Sequence, residues 1–325
     1  MRLNQRTAKG VSGPGQEMKI NIHVPISNNS LRYFEYCRSS YIGLCSDQER
    51  LVFHAYCLDK ESYKKICQGN YVSQAKSVGF GRGSGGHTKA LDEAVKNLVP
   101  GEINIISDTD VVILMEDWDR LLDSKLLNPT GYGLIGIPYE DIEGFSSGGG
   151  QTQTYKRIPT ATWMAISPRY DFSALNISAD KTSELLIDNI ALSKLYNLPI
   201  GANLLKDVGW RIPEFLHEQK VPYYAFDIVK PDSAESLALR GCSPYHDEFQ
   251  HDGQPFLVHQ RGSMKHQFRI DPLSVDFYDA CDRYLNQPEW AVFPSSMDRL
   301  VALWRRVVSL FKLPFKFVNR VFRNI

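Results

Sequence analysis

With 325 residues, 43% hydrophobic and 23% charged, the chain has enough apolar material for one large domain or two small ones. Its 37 basic and 37 acidic residues cancel, so no global field draws it to nucleic acid, and no nucleic-acid partner is expected. Six cysteines with no Cys-x-x-Cys pair argue against a disulfide framework or a thiolate metal site and fit the reduced thiols of a cytosolic enzyme.

Residues 1–17 are polar and glycine-containing, with no apolar centre, and read as a flexible tail rather than a secretory signal. No uninterrupted apolar run of about 18 residues occurs, so no membrane-spanning helix is expected. Met18 to Ile26 alternates apolar and polar residues, breaks at Pro25, and reads as a first strand. Ser30 is placed to cap a helix carrying Leu31, Phe34 and Cys37 on its inner side. Leu51 to Leu58 is a second strand, ending at Asp59. This strand–helix alternation predicts an α/β fold with a mostly parallel sheet.

Gly79 to Gly86 is glycine-rich and opens a helix from about His87, with Ala90, Leu91, Ala94, Val95 and Leu98 on one face. Such a turn receives phosphate or sugar oxygens, although it lacks the ending of a P-loop and also reads as a surface loop. The β-branched run Ile103 to Ile106 follows, a short buried strand that ends in Asp108-Thr109-Asp110. That edge is where open α/β sheets bind ligands. Two carboxylates one residue apart suit magnesium or manganese, with substrate phosphates completing the shell. A solvated Asx-turn is the alternative reading of the same three residues.

Glu116 to Leu122 starts a helix, acidic at its positive end. Tyr132 to Pro138 and Ala161 to Ser167 read as strands, separated by a Gly/Ser/Gln-rich loop from Asp141 to Thr154 that substrate would order. A helix is expected from about Leu205 to Gln219, with Asp207 in its first turn. Val221 to Phe226 and Phe256 to His259 are strand-like. From Asp298 onward the spacing is helical, with Leu300, Leu303, Trp304, Val307 and Phe311 on one face. Seven basic residues there oppose a single acid, Asp298. A basic amphipathic segment over 298–325 suits an anionic membrane surface, and a helix packed on protein is the other reading.

The order of these parts resembles a GT-A fold glycosyltransferase, most nearly of the family 2 type, over roughly Met18 to Lys265. The resemblance rests on the first strand with Pro25, the second ending at Asp59, and Ser84-Gly85-Gly86-His87 with its helix. Asp108-Thr109-Asp110, the segment at Asp207, and His259 before Gly262-Ser263 complete it. It departs at Lys206-Asp207, where paired acids are usual, in the Gly or Ser that replaces the customary Asn of the turn, and at Lys60-Glu61-Ser62 after the second strand.

The resemblance implies a mostly parallel central sheet flanked by helices over 18–272, with a C-terminal helical appendage over 273–325. It implies a cation, Mn2+ or Mg2+, on Asp108 and Asp110 with His259 as a third ligand. Donor contacts would come from Pro25, Asp59, Gly85, Gly86, His87, Lys89, Asp108, Thr109 and Arg261. Asp207, or alternatively Asp188, would be the general base of an inverting transfer from a UDP-sugar or related donor to a glycan or lipid-linked acceptor. The expected location is cytoplasmic, peripheral on the inner face of a membrane. A nucleotidyltransferase or a non-catalytic sugar- or nucleotide-binding module of the same fold is the competing expectation.

Overall fold

The computed structural model describes residues 18–69, 72–79, 83–138, 157–180, 183–244, 246–260, 272–286 and 294–308. The chain begins with β1 (Ile20–Ile26), α1 (Leu31–Gly43), β2 (Leu51–Cys57), α2 (Lys60–Gly69), β3 (Gln74–Ser77) and α3 (Gly83–Lys96). It continues through β4 (Ile103–Ser107), β5 (Val111–Ile113), α4 (Trp118–Leu126), β6 (Leu134–Gly136) and β7 (Trp163–Ile166). Then come β8 (Glu184–Leu186), α5 (Ile190–Tyr196), β9 (Asn203–Leu205), α6 (Ile212–Glu218), β10 (Tyr223–Ala225) and β11 (Asp227–Val229). β12 (His246–His251), β13 (Gln254–Gln260), α7 (Pro272–Tyr284) and the helical residues 296–308, α8, close the order.

Seven strands form one sheet in the order β10-β6-β7-β4-β1-β2-β3. The β1–β2, β1–β4, β2–β3 and β10–β6 pairs are parallel, and β7 alone runs against its neighbours β4 and β6. This is the mostly parallel α/β sheet expected from the strand–helix alternation. A second sheet, β11-β12-β13-β5, and the β8–β9 pair were not expected.

β1 shows how the sheet is held. Ile20, Ile22, Val24 and Ile26 pack with Phe34, Cys37 and Tyr41 of α1, all of them buried. Each such side chain contributes roughly 1.5–3 kcal/mol of transfer free energy. The alternate residues Asn21 and His23 are buried as well. His23 meets the Tyr56 hydroxyl at 2.9 Å through Nδ1 and Asn104 Oδ1 at 3.0 Å through Nε2. His54 Nε2 lies 3.0 Å from Asn21 Oδ1, and Asn21 Nδ2 donates to Glu102 at 2.6 Å. These bonds satisfy the polar groups that burial would otherwise strand. Burial, helped by nearby His54 and partly offset by Asn104, pushes the His23 imidazole down to about 3. Pro25 stays within the strand, beyond the last residue paired to β4, which removes the need for one ladder donor there.

On the opposite face of the sheet, Leu91 and Val95 of α3 share a core with Met164, Leu134, Trp210 and Phe215. In the first turn of α4, Asp119 is buried and accepts from the Ser46 amide at 2.8 Å and hydroxyl at 2.6 Å. Arg50 lies 3.4 Å from Asp119 and makes a forked pair with Asp123.

The C-terminal helices are seated on the rest of the chain. Phe277, Tyr278 and Cys281 of α7 are buried with Tyr36, Val112 and Val258 in one core, and the Tyr36 hydroxyl donates to Asp282 at 2.6 Å. α8 begins at residue 296, two residues before the expected start, because Ser295 and Asp298 form a reciprocal cap. Residues 1–17 and 309–325 lie outside the described residues. No helix among the described residues is long and apolar enough to cross a membrane.

Candidate active site

The buried apolar run 103–106 is β4, and Ser107 ends it. Only three residues separate it from β5, a strand of the other sheet. Asp108-Thr109-Asp110 is the passage between them. The Asp108 amide donates to the Thr162 carbonyl at 2.8 Å, and the Gln260 amide donates to the Asp110 carbonyl at 3.1 Å. Underneath, the Cys37 thiol of α1 approaches the Asp108 carbonyl at 3.8 Å. The passage is therefore held at both ends and from below.

The antiparallel β5–β13 pairing sets Val111 opposite His259. His259 Nε2 thereby comes within 3.6 Å of Asp110 Oδ1, and both side chains are nearly closed to solvent. Asp108, Asp110 and His259 each offer a ligand atom, and all three atoms lie within 4.8 Å of one another. Two carboxylates and an imidazole form a hard, oxygen-rich set with one nitrogen, which suits Mn2+ or Mg2+. Carboxylates this close repel when both are ionised, and a divalent cation between them removes that cost. The residues present thus fit the expected cation.

α3 delivers a second histidine. It begins at Gly83, four residues before the expected start, so Gly85 and Gly86 belong to its first turn rather than to a preceding loop. His87 Nε2 lies 3.2 Å from Asp108 Oδ1. Burial pulls the His87 pKa down, but the carboxylates of Asp108, Asp110 and Asp207 outweigh it and hold it above its ordinary value. The Asp207 charge is thus near enough to act on His87.

Contrary to expectation, Asp207 does not open a helix. Leu205 ends β9, a turn occupies residues 208–211, and α6 starts only at Ile212, with Pro213 in its first turn. Gly209, at a φ of 78°, takes the left-handed backbone that ends the run before Trp210. The Asp207 carboxylate accepts from the Val208 amide at 2.8 Å. Asp188 is exposed beside Asn189, the cap of α5, and accepts from the Asn189 side chain at 2.7 Å.

Among the remaining expected donor contacts, Pro25 is buried at the C-terminal end of β1 and Thr109 is buried within the passage. Asp59 uses one carboxylate oxygen for the Asn28 amide at 2.8 Å and the other for the Ser62 amide at 2.7 Å, and so caps α2. Lys89 is exposed and lines a cavity of about 330 Å³ with Lys76, Ser77, Asp92 and Glu93. Two residues apart on α3, His87 and Lys89 do not share a face. Arg261, Gly262-Ser263 and the loop from Asp141 to Thr154 lie outside the described residues.

The sequence pattern does not reveal Asp247. It stands directly opposite His259 in the β12–β13 ladder, so the two side chains share a face of the sheet. Asp247 is buried and pairs with Lys230 at 2.5 Å. The next residue, Glu248, is buried too and accepts from the amides of Leu237, Ala238 and Leu239.

No family model and no curated protein matches the chain. Among solved structures, it is similar to glucosyl-3-phosphoglycerate synthase from Mycobacterium tuberculosis, in a complex with Mn2+, UDP-glucose and phosphoglyceric acid. The identity is 16%, over 46% of this chain and 57% of that one, with a TM-score of 0.32. It is similar to the glycosyltransferase GlyE of Streptococcus pneumoniae at 14% identity, over 65% of this chain and 45% of that one, with a TM-score of 0.34. It is similar to residues 1–349 of S. aureus TarS at 12% identity, over 87% of this chain and 77% of that one, with a TM-score of 0.36. The matches to the first two span about half of those chains. At these scores the overlap in space is partial, and the function has to be read from the chain's own residues.

Proposed function

We propose that this protein is a cation-dependent glycosyltransferase that moves a sugar from a nucleotide-diphosphate sugar to a hydroxyl acceptor. The observation that carries the reading is the convergence of Asp108 and Asp110, from the passage after β4, with His259, from β13 much later in the chain, within 4.8 Å. Mn2+ or Mg2+ on these residues would act as a Lewis acid toward the diphosphate leaving group.

The chain's own residues do the rest. Asp108 and Asp110 fix the donor's diphosphate end beside the C-terminal edge of β4. His87 stands beside the Asp108 carboxylate and helps to orient it. Asp207 accepts the proton of the attacking hydroxyl. A single base acting on one face of the anomeric carbon gives inversion. UDP is the proposed nucleotide and a glycan or lipid-linked glycan the proposed acceptor, met at the inner face of a membrane. The presence of Asp207 among the carboxylates acting on His87 supports its choice over Asp188.

The test is hydrolysis and transfer across a panel of nucleotide sugars, with Mn2+, with Mg2+ and with chelator. Turnover of one donor that needs the cation, and that Asp110→Ala abolishes, is the expected result. Turnover unaffected by chelator would overturn the cation-dependent reading. Pyrophosphate release from a nucleoside triphosphate would favour a nucleotidyltransferase instead.

A further inference from the structure

α8 is turned the opposite way from an ordinary surface helix. Its polar side faces the protein. Asp298 is buried, accepts from Ser295, and pairs with Arg32 of α1 at 2.8 Å. Arg299 donates to Asp279 of α7 at 2.8 and 2.9 Å, and Arg306 pairs with Asp276 one α7 turn earlier. Ala302, on the same side, is buried.

The apolar side faces out. Met297 is 66% exposed, Leu300 60%, Leu303 56%, Trp304 65% and Val307 43%. Residues at this spacing form one continuous stripe. Contiguous exposed apolar surface of this kind marks a site of association.

We propose that this outward face of α8 docks on an anionic lipid surface. The sequence beyond α8 gives the reason to choose lipid. Residues 309–325 contain Lys312, Lys316, Arg320 and Arg323, four phenylalanines and no acid. Basic and aromatic residues flanking an apolar stripe match the headgroup–acyl boundary of a membrane with anionic lipids. A second copy of the chain suits the face less well. A two-fold contact would bring two such cationic segments together, and interface cores are depleted in lysine.

α1 ties this face to the candidate site. Arg32 holds Asp298, and Cys37, five residues along the same helix, approaches Asp108, an axial rise of about 7.5 Å. The docking itself does not rest on the transferase reading.

The test is co-sedimentation of the full chain with vesicles of phosphatidylcholine, and with vesicles of equal parts phosphatidylcholine and phosphatidylglycerol. The expected result is binding to the anionic vesicles that falls with added salt. Leu303→Glu combined with Trp304→Glu should lower it roughly tenfold, with an unchanged melting temperature. Leu300→Glu with Val307→Glu is the second variant, should the first fail to fold. Equal binding by wild type and a folded variant, or equal binding to neutral and anionic vesicles, would overturn the proposal. So would a wild-type dimer in sedimentation velocity that the substitutions dissociate. Nucleotide-sugar hydrolysis without vesicles, retained in both variants, separates this outcome from failure of the transferase reading.

Discussion

His87 Nε2 stands 3.2 Å from Asp108 Oδ1 and joins the first turns of α3 to the end of β4. A close partner beside a metal-binding carboxylate orients it and tunes its basicity. His87→Ala should therefore weaken Mn2+ binding on the order of 10- to 100-fold while the fold stays intact. Calorimetric titration with Mn2+ and a melting curve measure the two quantities. Unaltered affinity would show that Asp108 is held by other contacts.

Asp207 is assigned a proton, not a cation. Asp207→Asn should lower kcat roughly 100- to 10,000-fold while leaving Mn2+ affinity and the KM for donor near wild type. A loss of cation affinity instead would make Asp207 a ligand. Asp188→Asn, an exposed position, should leave kcat near wild type.

His23 predicts how stability depends on pH. Its imidazole is buried and titrates at about 3, against 6.5 in an unfolded chain. A depressed folded pKa gives stability that is complete above the unfolded value and is lost as pH falls toward the folded one. The loss attributable to His23 at pH 5 is about 2 kcal/mol. Urea midpoints should fall between pH 7.5 and pH 5, and His23→Gln should flatten that fall. A parallel decline in the variant would assign it to other groups.

Asp119 tests the buried ion cluster. Burial opposes its charge, but the Ser46 amide and hydroxyl and Arg50 hold the carboxyl below its usual range. Asp119→Ala leaves Arg50 short of one partner and Ser46 short of two acceptors. The expected cost is about 3–5 kcal/mol, read from denaturant unfolding. A change below about 1 kcal/mol would mean that Asp123 alone satisfies Arg50.

Gly136 is a packing test. A Cβ there would lie 2.7 Å from the Trp163 carbonyl oxygen and 2.9 Å from Pro159 Cβ. Gly136→Ala should destabilise by about 1–3 kcal/mol, because a backbone atom of β7 has to shift. An unchanged melting temperature would show that β6 and β7 can separate at no cost.

β4 is legible because Ile103 to Ile106 is a dense β-branched run buried on both faces, and the acids after it stand out by contrast. β12 is not. His-Asp-Glu-Phe-Gln-His shows no apolar alternation, yet five of its six residues are buried, since Lys230 and the amides after Ser236 satisfy its acids. Hydropathy sees side chains, not the partners that make their burial tolerable. The same blindness hides Asp247 beside His259. The extra turn of α3 escapes the sequence pattern because glycines weaken helix propensity, although first-turn amides need no intrahelical acceptor. His259 is picked out by resemblance alone. Only the β5–β13 register, a long-range pairing, brings it to Asp110.

Asp108 follows a strand of the seven-stranded sheet, and Asp110 precedes a strand of the four-stranded one. Thr109, buried between them, is the junction, and the two carboxylates belong to different sheets. A small rotation of one sheet against the other would open or close the gap between the acids, at the expense of the core that Ile103 and Ile105 share with Val111, Ile113 and Phe256. A cation gripping both would lock that rotation and stabilise the docked arrangement in proportion to its saturation. Metal affinity would then gauge how firmly the two sheets are joined, and a substitution far from the acids, anywhere along that seam, would register in it.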